Sequence, residues 1–136
     1  MFDWHNISTL PENTSTMGKV LIIDDDKEIL TVVDLILSQH GFTVQSTYKW
    51  QETIDKIESF HPDLILMDVS LGRQTDGRDI CEYIKTDTEA KNIPIILFSA
   101  ISDISETYPA CQAVDFIAKP FDAEAMISKI QSYLPA

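Results

Sequence analysis

Short apolar runs recur along the chain at Val20–Ile23, Phe42–Val44, Leu64–Met67, Ile95–Phe98 and Phe116–Ala118. Between them lie stretches of helical length whose apolar residues fall at helical spacing. Ile29, Val33, Ile36 and Leu37 mark one face of the first, with Asp26 placed to N-cap it and Gly41 to end it. Trp50, Ile54 and Ile57 mark the second, and Ile80, Cys81 and Ile84 the third. Met126, Ile127, Ile130 and Leu134 mark the last, behind Asp122 as N-cap. The fourth segment, about Asp103–Cys111, breaks the pattern. Pro109 has no N–H to donate and costs about 3 kcal/mol inside a helix. The residues before it offer only Ile104 and Tyr108 as apolar anchors. A helix of about two turns or fewer between Ser102 and Tyr108, or an irregular segment, is expected there.

Five apolar strands alternating with helices predict an α/β fold built on a parallel sheet with helices on both faces, reached through right-handed crossovers. In such a sheet every strand's carboxyl end lies on one edge, and that edge carries the chemistry of this fold class. Residues 1–16 lack sustained periodicity and contain no Lys or Arg. They read as part of a flexible leader over 1–17, in front of a single domain over 18–136.

Composition narrows the function. Apolar residues make up 44% of the 136, enough for a globular core. Ten basic residues against twenty-two acidic ones give a formal charge of −12, with Lys and Arg scattered singly. A polyanion would be repelled, so direct nucleic-acid binding is not expected. No apolar run is long enough to cross a bilayer, and the first residues lack the pattern of a signal peptide. The expectation is a cytoplasmic protein without membrane insertion. Cys81 and Cys111 lack CxxC spacing and His partners, and read as reduced structural thiols.

The strand ends concentrate the remaining polar residues. The first apolar run ends in Asp24-Asp25-Asp26, the third in Asp68, the fourth in Ser99, and the fifth runs into Lys119-Pro120. One strand-end Asp is commonly a helix cap, and Asp26 fits that role. Four matched strand ends call for another reason. Two carboxylates about 5 Å apart repel by roughly 3 kcal/mol at an effective dielectric near 20. Lys119 supplies one countercharge, and a hard divalent cation with oxygen ligands supplies the rest. Magnesium suits such a site because it takes a few carboxylates, keeps waters and coordinates phosphoryl oxygens. An Asp carboxylate in that setting can act as a nucleophile and form an aspartyl phosphate.

The blocks Lys19-Val-Leu-Ile-Ile-Asp-Asp-Asp26, Leu64-Ile-Leu-Met-Asp-Val69, Ile95-Ile-Leu-Phe-Ser-Ala100 and Phe116-Ile-Ala-Lys-Pro-Phe121 resemble, in order, the signature blocks of response-regulator receiver domains in two-component signalling. The match covers about residues 18–135. It implies a flavodoxin-like doubly wound five-stranded parallel sheet of order 2-1-3-4-5, in a stand-alone protein like the chemotaxis regulators. It also implies Asp68 as phosphoacceptor and Asp25 as a direct magnesium ligand, with Asp24 acting through metal-bound water and the Ser70 carbonyl completing the protein ligands. Ser99 and Lys119 would contact the phosphoryl oxygens, the Lys119–Pro120 peptide would be cis, and Ser99 and Phe116 would form the switch. The implied donor is a histidine kinase or a histidine phosphotransfer protein, and the output is changed affinity for a downstream protein. No chemistry on an outside substrate is implied, only magnesium-dependent self-phosphorylation and dephosphorylation.

Two rivals differ in class. A phosphatase of the haloacid dehalogenase type also uses an aspartyl phosphate, but it resembles a pattern with a second Asp two residues after the nucleophile, where Ser70 stands. A pseudo-receiver that binds partners without phosphorylation would not need all the site residues this chain retains. The chain also departs from the family pattern. The loop from Val69 to Gly77 lacks the usual Pro after Leu71 and is one residue longer. The interval from Ser99 to Lys119 is about two residues shorter, and Gln112 stands where Gly is common.

Overall fold

The computed structural model describes residues 17–134 except Arg73, Ser102 and Asp103. The leader expected over 1–17 therefore lies, but for Met17, outside the described residues. Five strands form one parallel sheet: β1 (Lys19–Ile23), β2 (Thr43–Thr47), β3 (Leu64–Asp68), β4 (Ile95–Ser99) and β5 (Asp115–Ala118). Their order is β2-β1-β3-β4-β5, as the resemblance implies. The helices are α1 (Lys27–Gln39), α2 (Thr53–Phe60), α3 (Gly77–Asp87), α4 (Ile104–Thr107) and α5 (Ala123–Ser132), with short 3-10 turns at Trp50–Glu52, Glu89–Asn92 and Tyr108–Cys111.

Successive strand residues point to opposite faces, so the apolar runs feed two cores. Leu21, Ile23, Ile65, Met67, Ile95 and Leu97 face one side, where Ile57 and Phe60 of α2, Cys81 and Ile84 of α3, and Ile104 of α4 cover them. Val20, Ile22, Leu64, Leu66, Ile96 and Phe98 face the other, under Leu30, Val33 and Leu37 of α1 and Met126, Ile127 and Ile130 of α5. β3 and β4 are buried at every position, which explains their unbroken apolar sequence. At the sheet margin, β2 alternates exposed and half-buried residues before ending on buried Thr47.

The helix ends follow local chemistry. Asp26 caps α1 by accepting from the N–H groups of Glu28 and Ile29, and Asp122 caps α5 by accepting from Ala125. Beyond α1, Gly41 at φ 91° completes a Schellman turn. Its N–H donates to the Ser38 carbonyl, and the Phe42 N–H donates to that of Leu37. α4 is as short as Pro109 predicts: four α-helical residues pass into the 3-10 turn that contains the proline. Gln112 then takes the left-handed conformation at φ 69°, which explains why Gly is common there. Among the described residues, no helix is long and apolar enough to cross a membrane.

Candidate functional site

The parallel ladder delivers the strand ends to one edge. Asp68 pairs in register with Phe98, and Ser99 with Ala118. Just past the strands, the Asp24 N–H donates to the Thr47 carbonyl at 3.2 Å and the Lys119 N–H to the Ser99 carbonyl at 2.8 Å. Asp24 is fully buried, Asp68 nearly so, and Asp25 exposed. One carboxylate oxygen from each of the three lies within 4.8 Å of the others.

Lys119 bridges the two buried acids. Its ammonium donates to Asp24 at 2.9 Å and to Asp68 at 3.3 Å. It also stands 4.6 Å from the centre of the Phe98 ring, which packs against Phe121 in an edge-type contact. The other oxygen of Asp24 accepts the Asp26 N–H at 2.9 Å, so both Asp24 oxygens are engaged. The Lys119–Pro120 peptide is cis.

The electrostatics divide the acids' work. Burial, with the Asp24 charge beside it, raises the Asp68 carboxyl to about 7 against the opposing pull of Lys119. For Lys119 burial acts downward, but the Asp24 hydrogen bond and the charges of Asp68 and Asp24 outweigh it and raise the ammonium. The cluster thus holds more negative charge than one lysine compensates. Its donors are hard carboxylate oxygens within 4.8 Å of one another, a set that fits a divalent cation such as magnesium.

The other expected residues stand at graded distances from this cluster. The Ser70 N–H donates to Asp68 at 3.3 Å, and Ser70 pairs with Asp76 in an isolated antiparallel bridge. The longer loop closes beyond that point, through Leu71 to Thr75 and Thr75 to Gly72. Ser99 is buried, and its hydroxyl accepts the Ile101 N–H at 2.9 Å. Phe116 lies opposite Leu97, half-buried, with its ring 5.3 Å from that of Tyr108. Lys129 secures this part of β5 by donating to the Phe116 carbonyl at 2.9 Å.

Two supports were not read as site residues from sequence. A Cβ at Gly77 would lie 2.0 Å from the Asp68 carbonyl oxygen, so only glycine lets α3 begin this close to β3. The Asp76-Gly77 pair in the loop was its only sequence signal. Arg78 forms a salt bridge with Asp76 at 2.6 Å and donates to the Thr107 hydroxyl at 2.9 Å, joining the start of α3 to α4.

Residues 20–131 match the response regulator receiver domain, and the chain belongs to that family. It is 31% identical over 120 residues to response regulator ArlR of Staphylococcus aureus, covering 87% of this chain and 53% of the relative. It is 30% identical over 120 residues to the DNA-binding dual master transcriptional regulator RpaA of Synechocystis, covering 87% and 49%. The chain spans about half the length of these curated relatives. Among solved structures, chemotaxis response regulator CheY4 of Vibrio cholerae superposes with a TM-score of 0.77 at 25% identity, covering 88% of this chain and all of that one. A two-component response regulator from Clostridium difficile gives 0.76 at 27% identity, covering 85% and 93%.

Proposed function

We propose that this receiver domain accepts a phosphoryl group on Asp68 from the phosphohistidine of a histidine kinase or phosphotransfer protein, and thereby changes its affinity for a downstream protein in the cytoplasm. The observation that carries this reading is the Lys119 ammonium shared between Asp24 and Asp68 beside exposed Asp25. Asp24, Asp25, Asp68 and the Ser70 carbonyl would hold magnesium, which when bound neutralises charge on the phosphoryl oxygens. An Asp68 oxygen forms the new P–O bond as the P–N bond of the donor breaks, and the electron pair stays on the imidazole nitrogen. Lys119 stays within reach of both Asp68 and the incoming group, so its positive charge offsets the charge gained.

Ser99 and Phe116 would convert that charge into a change of surface. Ser99 ends the strand beside Asp68, and its hydroxyl would turn from Ile101 towards a phosphoryl oxygen. Phe116 would then repack from its place against Tyr108, biasing a two-state surface on β4, β5 and α4. Incubation with acetyl phosphate and magnesium should add one phosphoryl group to the intact mass. The adduct should be absent in Asp68→Asn. Unchanged mass in the parent, or full labelling of the variant, contradicts the reading, and steady hydrolysis of the donor would indicate a phosphatase.

A further inference from the structure

The chain's two cysteines lie 30 positions apart, yet the fold puts them together. Cys81 sits on the buried face of α3, and Cys111 ends the 3-10 turn after α4. The Cys81 thiol donates to the Cys111 carbonyl at 3.3 Å, and the Cys111 thiol to the Tyr108 carbonyl at 3.3 Å. Both are free thiols. Their surroundings differ. Both sit in the same core cluster, Cys81 fully buried and Cys111 4% exposed, but Cys111 also lines an open cleft of about 320 Å³ together with Arg78, Thr107 and Glu82. Nothing in phosphoryl transfer uses either residue.

We propose that Cys111 and Cys81 form a redox-active dithiol site, in which a hydroperoxide entering the α3–α4 cleft oxidises Cys111 and Cys81 resolves it to an intramolecular disulfide. Attack of the Cys111 thiolate on hydrogen peroxide forms an S–O bond as the O–O bond breaks, giving a sulfenic acid and hydroxide. Cys81 sulfur then attacks the Cys111 sulfur, the S–O bond breaks, and the departing hydroxyl leaves as water with the Cys81 proton. Two thiols are oxidised and one peroxide is reduced to water.

The polarity of the pair supports this division. The nearby Cys81 side chain brings the Cys111 thiol down to about 7 despite its burial, with the Arg78 charge assisting. The Cys111 side chain and burial push the Cys81 thiol up, so Cys111 is the one of the pair placed to react first. The resulting bond would tie the middle of α3 to the end of the α4 segment, one turn from the Tyr108–Phe116 contact.

The test is peptide mapping of the full chain after brief exposure to a slight excess of hydrogen peroxide under a metal chelator. The parent should lose the mass of two hydrogens, lose both alkylatable thiols and yield one Cys81–Cys111 linked peptide within a single chain. Cys81→Ser should instead accumulate a dimedone-trapped sulfenic acid on Cys111, and Cys111→Ser should leave Cys81 unmodified. Should Cys81→Ser fail to fold, Cys81→Ala takes its place, and the parent map decides in either case. Two thiols that stay alkylatable, a disulfide between two chains, or a first oxidation on Cys81 would overturn the proposal.

Discussion

Lys119 donates to Asp24 at 2.9 Å across 95 positions of sequence, and this is the shortest of its two carboxylate contacts. The pair is largely shielded from water, with Asp24 fully buried. Removing one partner of such a pair leaves an uncompensated charge in a medium that solvates it poorly. Lys119→Met should therefore lower stability by about 3 kcal/mol in the presence of a metal chelator. Millimolar magnesium should restore part of the loss by replacing the missing positive charge. Urea unfolding with and without magnesium measures both effects, and a variant as stable as the parent in chelator would contradict the assignment of Lys119 as the site's countercharge.

The raised carboxyl of Asp68 gives a pH dependence with a definite sign. Its folded value of about 7 exceeds the ordinary 3.8, so the folded state holds this proton more tightly than the unfolded chain does. The protonated group costs nothing below about pH 3.8. Its ionisation opposes folding increasingly up to pH 7, and fully above it. Asp68→Asn should thus stabilise the metal-free protein at pH 8 by on the order of 2 kcal/mol, with the gain vanishing near pH 4. Thermal unfolding across that range checks the slope. A gain that grows towards acid pH would mean that the ionised Asp68 favours the folded state.

Gly77 sets the distance between α3 and the backbone of Asp68. Its missing Cβ would fall 2.0 Å from the Asp68 carbonyl oxygen, a backbone atom rather than the end of a flexible side chain. Gly77→Ala should cost about 3 kcal/mol and shift the amide resonances of Asp68 and Val69. Unchanged stability would show that α3 can move outwards freely.

The strand pattern was legible wherever a strand is buried on both sides. Leu64–Met67 and Ile95–Phe98 read as apolar runs because the strands they form have neighbours on both sides and helices on both faces. β2 was legible only at its start. The apolar stretch Phe42–Val44 marks its entry, but the strand runs over Thr43–Thr47, because a marginal strand with exposed positions tolerates Gln45 and Ser46. In α1, Leu30 is buried, whereas Ile29 and Ile36 only flank the core. The sequence stripe was therefore correct in direction and displaced at its border. The acids and Lys119 were legible as a group because parallel strands bring their carboxyl ends to one edge. The Arg78–Thr107 bond and the Cys81–Cys111 contact were not, since both depend on how α4 settles against α3, and no periodicity encodes that.

The shortened α4 has a dynamic consequence. Its four α-helical residues bury only Ile104, while α5 buries Met126, Ile127 and Ile130 over ten residues. Amides at Glu106–Tyr108 should therefore exchange faster than those at Ile127–Ile130, through local opening that leaves the sheet intact. Hydrogen exchange followed by mass spectrometry or NMR measures the ratio. Equal protection in the two segments would contradict this account of α4.

The central claim is that Asp68 is the residue that carries the phosphoryl group. Acyl phosphates are reduced by borohydride to the corresponding alcohol, so an aspartyl phosphate becomes homoserine at the position that held it. After treatment with acetyl phosphate, magnesium and then borohydride, peptide sequencing should find homoserine at position 68 and intact Asp at 24, 25 and 76. Homoserine at any of those other positions, or none anywhere in a protein that has taken up phosphate, would contradict it.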